Sequence, residues 1–261
     1  MRSVAIVSAE RAADGRTAIR ELRSESPTRL IPRRPAVPSR DGSATVRMVA
    51  SAAGPLGGDL LELRVRVGAG AHLRLVGTGA TLALPGPGGE PSRATVRIEV
   101  EPGGVLEYLP DETIVCAGAD HHTELRADLA AGSRLRTREV LVLGRHAEDP
   151  GRLTTATHVV LSGSPLLRQT LDLTDPRLLA SPGHLVGAKV LATELVVGDE
   201  DPATASTGPW WSLTPLAGGG TLATALADDP ATATARLAAA LGDHASREPG
   251  AAPPAPLPAS A

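Results

Sequence analysis

Apolar and polar residues alternate along much of the chain. Leu61, Leu63, Val65 and Val67 interleave with Glu62, Arg64 and Arg66, Leu73 and Leu75 with His72 and Arg74, and Val96, Ile98 and Val100 with Arg97 and Glu99. A period of two with polar partners specifies half-buried strands, one face on a core and the other in water. The strands recur about glycine-bearing turns at Val67–Leu73, Val100–Leu106, Leu129–Leu135 and Leu161–Leu166. With Gly70, Gly103, Gly132 and Gly163 taken as equivalent, the spacings are 33, 29 and 31 residues. Glycine suits such turns because they often require a positive φ. A repeat of this length per strand pair fits stacked β layers, as in a solenoid. It fits equally an ordinary sandwich whose hairpins are similar in length.

Two segments break the pattern. Leu178 to Val197 begins as a glycine-broken connection and ends as an apolar, strand-like run. Asp229 to Leu241 has Asp229 as an N-cap, Pro230 in the first turn, good helix formers, and Gly242 as a stop, so it predicts a helix. Arg33–Ser43 and Gly86–Ser92 read as loops. From Ser246 the Pro/Ala-rich tail has no periodicity and is expected to be disordered. The expected organisation is one β domain over 1–245 and a tail over 246–261. Its class is all-β, with elongated, stacked or helical-like sheet layers and a small C-terminal helical element.

Composition narrows the core. The chain has no Phe, one Tyr (Tyr108) and two Trp (Trp210 and Trp211). Leu, Val and Ala must therefore fill the interior, with less burial per side chain than aromatics give. Modest stability alone, and reliance on a partner, are expected. Lys189 is the single lysine, and the arginines are scattered among acids at a net charge of −3. Without a basic stripe interleaved with aromatics, nucleic-acid binding is not expected. The lone Cys116 fits a reducing compartment. No apolar run approaches the roughly 20 residues of a membrane span. Glu10 and Arg11 interrupt the short apolar start before it reaches the length of a secretion signal. A soluble, cytoplasmic protein is expected.

Common catalytic signatures are missing. Lys189 is followed by Val190, so no phosphate loop ends in Gly-Lys-Ser/Thr, and neither G-x-S-x-G nor H-E-x-x-H occurs. Glu107, Asp111 and Glu112 invite a glycosidase reading, but Pro110 interrupts their strand and sugar-stacking aromatics are lacking. Cys116-Ala-Gly-Ala-Asp120-His121-His122 brings a thiol, a carboxylate and two imidazoles within seven residues. Those donors suit nickel or zinc. The spacing matches no recognised closed site, and a buried small cysteine beside two solvated histidines accounts for it as well. Asp59, after two glycines, can accept backbone N–H bonds in a turn. Arg145 can pair locally with Glu148 or Asp149.

Five motifs in order carry a resemblance. They are an opening strand and a Ser-x-x-Pro-Leu-x-Leu-like stretch in Arg16-Thr17 with Leu22-Arg-Ser-Glu-Ser-Pro27 and Leu30-Ile-Pro32, then Gly54-Pro-Leu-Gly-Gly-Asp59, Leu106-Glu-Tyr-Leu-Pro-Asp-Glu-Thr-Ile114, and Leu143-Gly-Arg145. Together they resemble the urease accessory protein UreD (UreH) family. Leu82–Pro87 departs from the family's basic and aromatic stretch, Tyr108 stands where Trp is common, and the C-terminal region matches loosely. The resemblance implies a non-enzymatic chaperone of urease maturation that binds UreF and, through it, the GTPase UreG, and that serves apo-urease. It implies nickel held only in transit and no stably bound cofactor. Residues for partner contact or the nickel route are Asp59, Glu107, Glu112 and Arg145, with Cys116, Asp120, His121 and His122 as metal candidates. The alternatives are a stand-alone β-solenoid binding module and a carbohydrate-active β-helix enzyme.

Overall fold

The computed structural model describes residues 1–33, 39, 41–198 and 204–242. The tail from Ser246, His244 and part of the 33–43 loop lie outside the described residues. The chain opens with the hairpin β1 (Arg2–Arg11) and β2 (Thr17–Arg23), then forms β3 (Thr28–Pro32) and β4 (Ala44–Ala50). Three coils follow. The first is β5 (Leu60–Val67), β6 (His72–Gly77) and β7 (Thr81–Ala83), and the second β8 (Ser92–Val100), β9 (Val105–Leu109) and β10 (Thr113–Val115). The third is β11 (Asp120–Leu129) and the unbroken β12 (Arg134–Leu143). Next come β13 (Arg152–Leu161), β14 (Ser164–Asp172), the short α1 (Pro176–Leu179) and β15 (Val190–Val197). The chain then adds β16 (Ser206–Gly208), β17 (Trp211–Pro215), β18 (Thr221–Ala227) and α2 (Pro230–Leu241).

Each coil crosses between two sheets. The first sheet has the order β14-β13-β11-β8-β5-β1-β2, the second β16-β17-β18-β15-β12-β9-β6-β4-β3. Neighbouring coils pair in parallel, and the sequence repeat is their register. Leu60 pairs with Arg93 and His72 with Val105, both 33 apart. Ser92 pairs with His121 and Val105 with Arg134, both 29 apart. Three of the four glycine turns are equivalent: Gly70, Gly103 and Gly132 have φ of 63°, 69° and 71° at arches joining the sheets. Gly163 is not a fourth arch. It sits at the tip of the antiparallel β13–β14 hairpin within the first sheet, and the β11–β13 offset is 32, from Asp120 to Arg152. The stack is therefore solenoid-like, and the expected all-β class with a small C-terminal helix is what the chain adopts.

The opposite corner of the coils is tighter. A Cβ on Gly151 would lie 2.3 Å from the Cys116 carbonyl oxygen, and one on Gly86 2.3 Å from that of Gly57. Only glycine permits such backbone approach. The interior beside the arches is a dry cluster that includes Val7, Val65, Leu73, Leu75, Ile98, Leu106 and Leu135. Leu, Val and Ala dominate it as composition required, and Tyr108 is its aromatic member. Outside the second sheet, α2 lays Ala233, Leu237, Ala240 and Leu241 on Val140, Val190, Leu213 and Ala225. Its start is as expected: the Asp229 side chain accepts from Thr232 N at 2.9 Å. Among the described residues no helix is long and apolar enough to cross a membrane.

Candidate functional site

Strand parity decides which polar groups enter the sandwich. On β11, His121 and Thr123 share the inward side with buried Ala127 and Leu129. On β12, Thr137 and Glu139 share it with buried Leu135 and Leu141. Away from the arches the interior thus turns polar and opens into a cavity of about 230 Å³. Tyr108, His121, Thr123, Thr137, Glu139 and Thr157 line it, and Pro110, Asp111 and Thr113 border it at the kink between β9 and β10.

Glu139 is the one carboxylate set among these threonines. Its oxygens accept from Thr123 Oγ1 at 3.1 Å and from Thr155 Oγ1 at 3.0 Å. Burial pushes its pKa up, and the two threonine bonds offset that only in part, so it stays above the ordinary carboxylate range. Burial, with a smaller push from Glu139, also raises the Tyr108 phenol. His121 Nδ1 lies 2.8 Å from Ser92 Oγ. Burial, then the neighbouring His122, lowers its pKa to about 4, so the imidazole is neutral near pH 7.

The four metal candidates do not converge. His121 points inward, while Asp120 and His122 face outward with Nε2 3.2 Å from Asp120 Oδ1. Arg152 closes on the same Asp120 at 3.3 Å. Cys116 is buried in the stacked corner, where burial raises its thiol pKa and keeps it protonated. Among the described residues no three His, Cys, Asp or Glu side chains are grouped to hold a metal ion. Lying on a strand explains this, since successive residues leave opposite faces.

The other candidates engage separate partners. Asp59 accepts from Leu56 N at 2.8 Å and from the Met1 amino group at 2.6 Å, locking the glycine turn. Burial opposes its charge, but these bonds outweigh burial and lower the pKa. Glu107 faces outward on the second sheet, beneath His72 Nε2 at 2.8 Å and Arg74 Nε at 2.7 Å. There too burial opposes charge and the two donors overcome it. Glu112 offers its backbone carbonyl to Thr81 N at 2.8 Å. Arg145 forks onto Glu148 at 2.9 and 3.0 Å, and this hydrogen bonding holds the Glu148 pKa at about 2.

Two glutamates, Glu194 buried and Glu139 half-buried, escaped the sequence reading. Glu194, fully buried on the outward side of β15, accepts from Arg136 Nε at 2.6 Å and Arg138 Nε at 2.7 Å. Glu139 sits in an Arg-Thr-Arg-Glu run that looks solvated. The signal available was parity, since Leu135, Thr137, Glu139 and Leu141 alternate with Arg136 and Arg138.

Comparison with known proteins follows the same residues. The family model described as UreD urease accessory protein matches residues 3–257. Urease accessory protein UreD 1 of Saccharopolyspora erythraea is 58% identical over 248 residues, covering 95% of this chain and 97% of that one. The UreD proteins of Parafrankia sp. and Frankia alni are each 38% identical, over 91% and 92% of this chain and 86% and 92% of theirs.

Proposed function

Since the chain belongs to the UreD urease accessory protein family, we propose that it is a non-catalytic, cytoplasmic scaffold of urease maturation. It bridges a UreF–UreG complex and apo-urease, and nickel passes to urease under its guard without being kept. The observation that carries this reading is the family match along nearly the whole length. The geometry lends support. The polar interior presents the Glu139 carboxyl group and threonine hydroxyls, with Asp111 at its border and His121 held on Ser92, and among the described residues no three His, Cys, Asp or Glu donors are grouped. A sparse set of this kind holds a divalent cation loosely, whereas a full N/O/S ligand set would trap nickel.

Within this reading Glu112, at the kink bordering the cavity, and the exposed Arg145 are contact residues. Asp59 and Glu107 hold the walls in shape, and Asp120 with His122 supplies an open, exchangeable metal contact. Cys116 and His121 lie too deep to join it and act in packing.

Co-expression with the cognate UreF and UreG, capture of this chain and size-exclusion chromatography test the scaffold role. A co-eluting complex is expected; a soluble chain that ignores both partners would overturn it. Urease nickel content with Glu112→Ala and Arg145→Ala variants tests the contact residues. Lost nickel with normal folding supports their assignment, and full nickel with both variants removes it.

A further inference from the structure

The outer face of the first sheet is a large uncovered surface of the molecule. No helix packs against it among the described residues, whereas α2 covers the β12, β15, β17 and β18 part of the second sheet's outer face. Register places cations in one row across this open face. Arg64 pairs with Arg97, Arg97 with Arg126, Arg126 with His158, and His158 with Arg168. Four arginines and a histidine thus stand on five adjacent strands, about 4.8 Å apart. Like charges set directly opposite one another destabilise a sheet, so the row needs compensation.

The compensation stands beside the row on the same face, two residues along the strands. Glu62 holds Arg64 Nε at 3.0 Å and Arg97 Nε at 2.9 Å. Glu124 holds Arg126 Nη2 at 2.7 Å and stands 3.9 Å from His158. The acids are the more buried partners: Glu62 and Glu124 side chains are 20% and 28% exposed, against 52%, 50% and 53% for Arg64, Arg97 and Arg126. The guanidinium groups are therefore outermost, each with donors left over from its five.

We propose that this open face is a docking surface for an acidic helix of a partner protein, laid across the strands along the row Arg64–Arg97–Arg126–His158–Arg168. Spacing selects the helix. Carboxylates three or four residues apart on a helix lie about 5–6 Å from one another, close to the rung spacing of the row, whereas an extended strand repeats one face at about 6.8 Å. Long arginine side chains absorb the small mismatch over five rungs. The inference stands independently of the urease reading.

The test uses two synthetic helical peptides of equal composition and net charge. One carries glutamates at i, i+4, i+7 and i+11; the other distributes them around the helix. Fluorescence anisotropy with the full chain at low salt should show the striped peptide binding at least about tenfold tighter, with affinity falling as salt rises. Arg97→Glu with Arg126→Glu should abolish that preference. Arg168→Glu, at the exposed end of the row, should weaken it severalfold, and circular dichroism checks that each variant is folded. Equal binding of both peptides, or unchanged binding by folded variants, would overturn the proposal. So would tighter binding of a single-stranded DNA oligomer than of the striped peptide, which would make the row a nucleic-acid contact.

Discussion

The two halves of the sandwich interior obey the same alternation and reach opposite results. Beside the arches, inward positions are Val65, Val67, Leu73, Leu75, Leu106 and Leu135, and the space is closed. Toward the other end, the same strands and their neighbours present Ser92, His121, Thr123, Thr137 and Glu139, and the space opens. Alternation assigns a side chain to the inside, but only apolar, well-fitted side chains make that inside dry. The closed half holds the stack together. The open half spends stability on polar groups, and such expense points to use.

Mutations can separate the halves. The largest effect is expected at Leu106, completely buried in the dry half. Leu106→Ala should cost about 2–5 kcal/mol by urea unfolding, through lost transfer energy and a residual cavity. A loss well below 1 kcal/mol would mean the arch half is not the stabilising one.

The open half should respond to pH. His121 is neutral in the fold, with its pKa lowered to about 4, so below pH 6.5 the unfolded chain takes up a proton that the folded imidazole refuses. Its contribution is complete above that pH and is lost as pH falls toward 4, on the order of 3 kcal/mol for the full shift. His121→Asn should flatten this acid limb in urea midpoints measured from pH 7 to pH 4. Glu139 has the opposite sign. Its raised pKa gives stability that is complete below the ordinary carboxylate pKa and disappears as pH rises through its folded value. Glu139→Gln should alter stability at pH 4, below the ordinary carboxylate pKa, by less than about 1 kcal/mol, because Gln mimics the protonated acid, and should remove the loss at higher pH. Under the proposed nickel passage it should also lower urease nickel content at unchanged folding.

A modest effect is expected at an arch. Gly132 has φ of +71° with nothing within 4 Å of an added Cβ. Gly132→Ala should therefore cost only backbone strain, about 1–2 kcal/mol in thermal unfolding. Gly151→Ala, which drives a Cβ into the Cys116 carbonyl, should cost clearly more. Equal losses would deny that the two corners of a coil are built differently.

Much of the fold was legible because the repeat is a register. The 33- and 29-residue spacings of the glycines are the offsets by which coils pair, and the Asp229–Gly242 helix signals act where expected. Less legible was β1. Apolar residues stand on both its faces, buried Ala5, Val7 and Ala9 inside and half-buried Val4 and Ile6 outside, so it lacks the polar alternation of β5 and β8. Gly163 resembled the arches because a hairpin tip also demands a positive φ. At the candidate site, local turn chemistry could be read: Asp59 caps its glycine turn and Arg145 pairs with Glu148. Glu139, Glu194 and the arginine row could not be read by local inspection, since parity and cross-strand register place them.

The antiparallel strands at the ends of the stack have one further consequence. Parallel coils offer an unpaired edge to the next coil, and nothing in a coil itself says where to stop. In the first sheet β2 and β14 close the parallel run at its two ends, and in the second sheet β3 and β15 do so. They end the parallel register at both ends of the stack, so the coil-on-coil pairing that builds it has no next step.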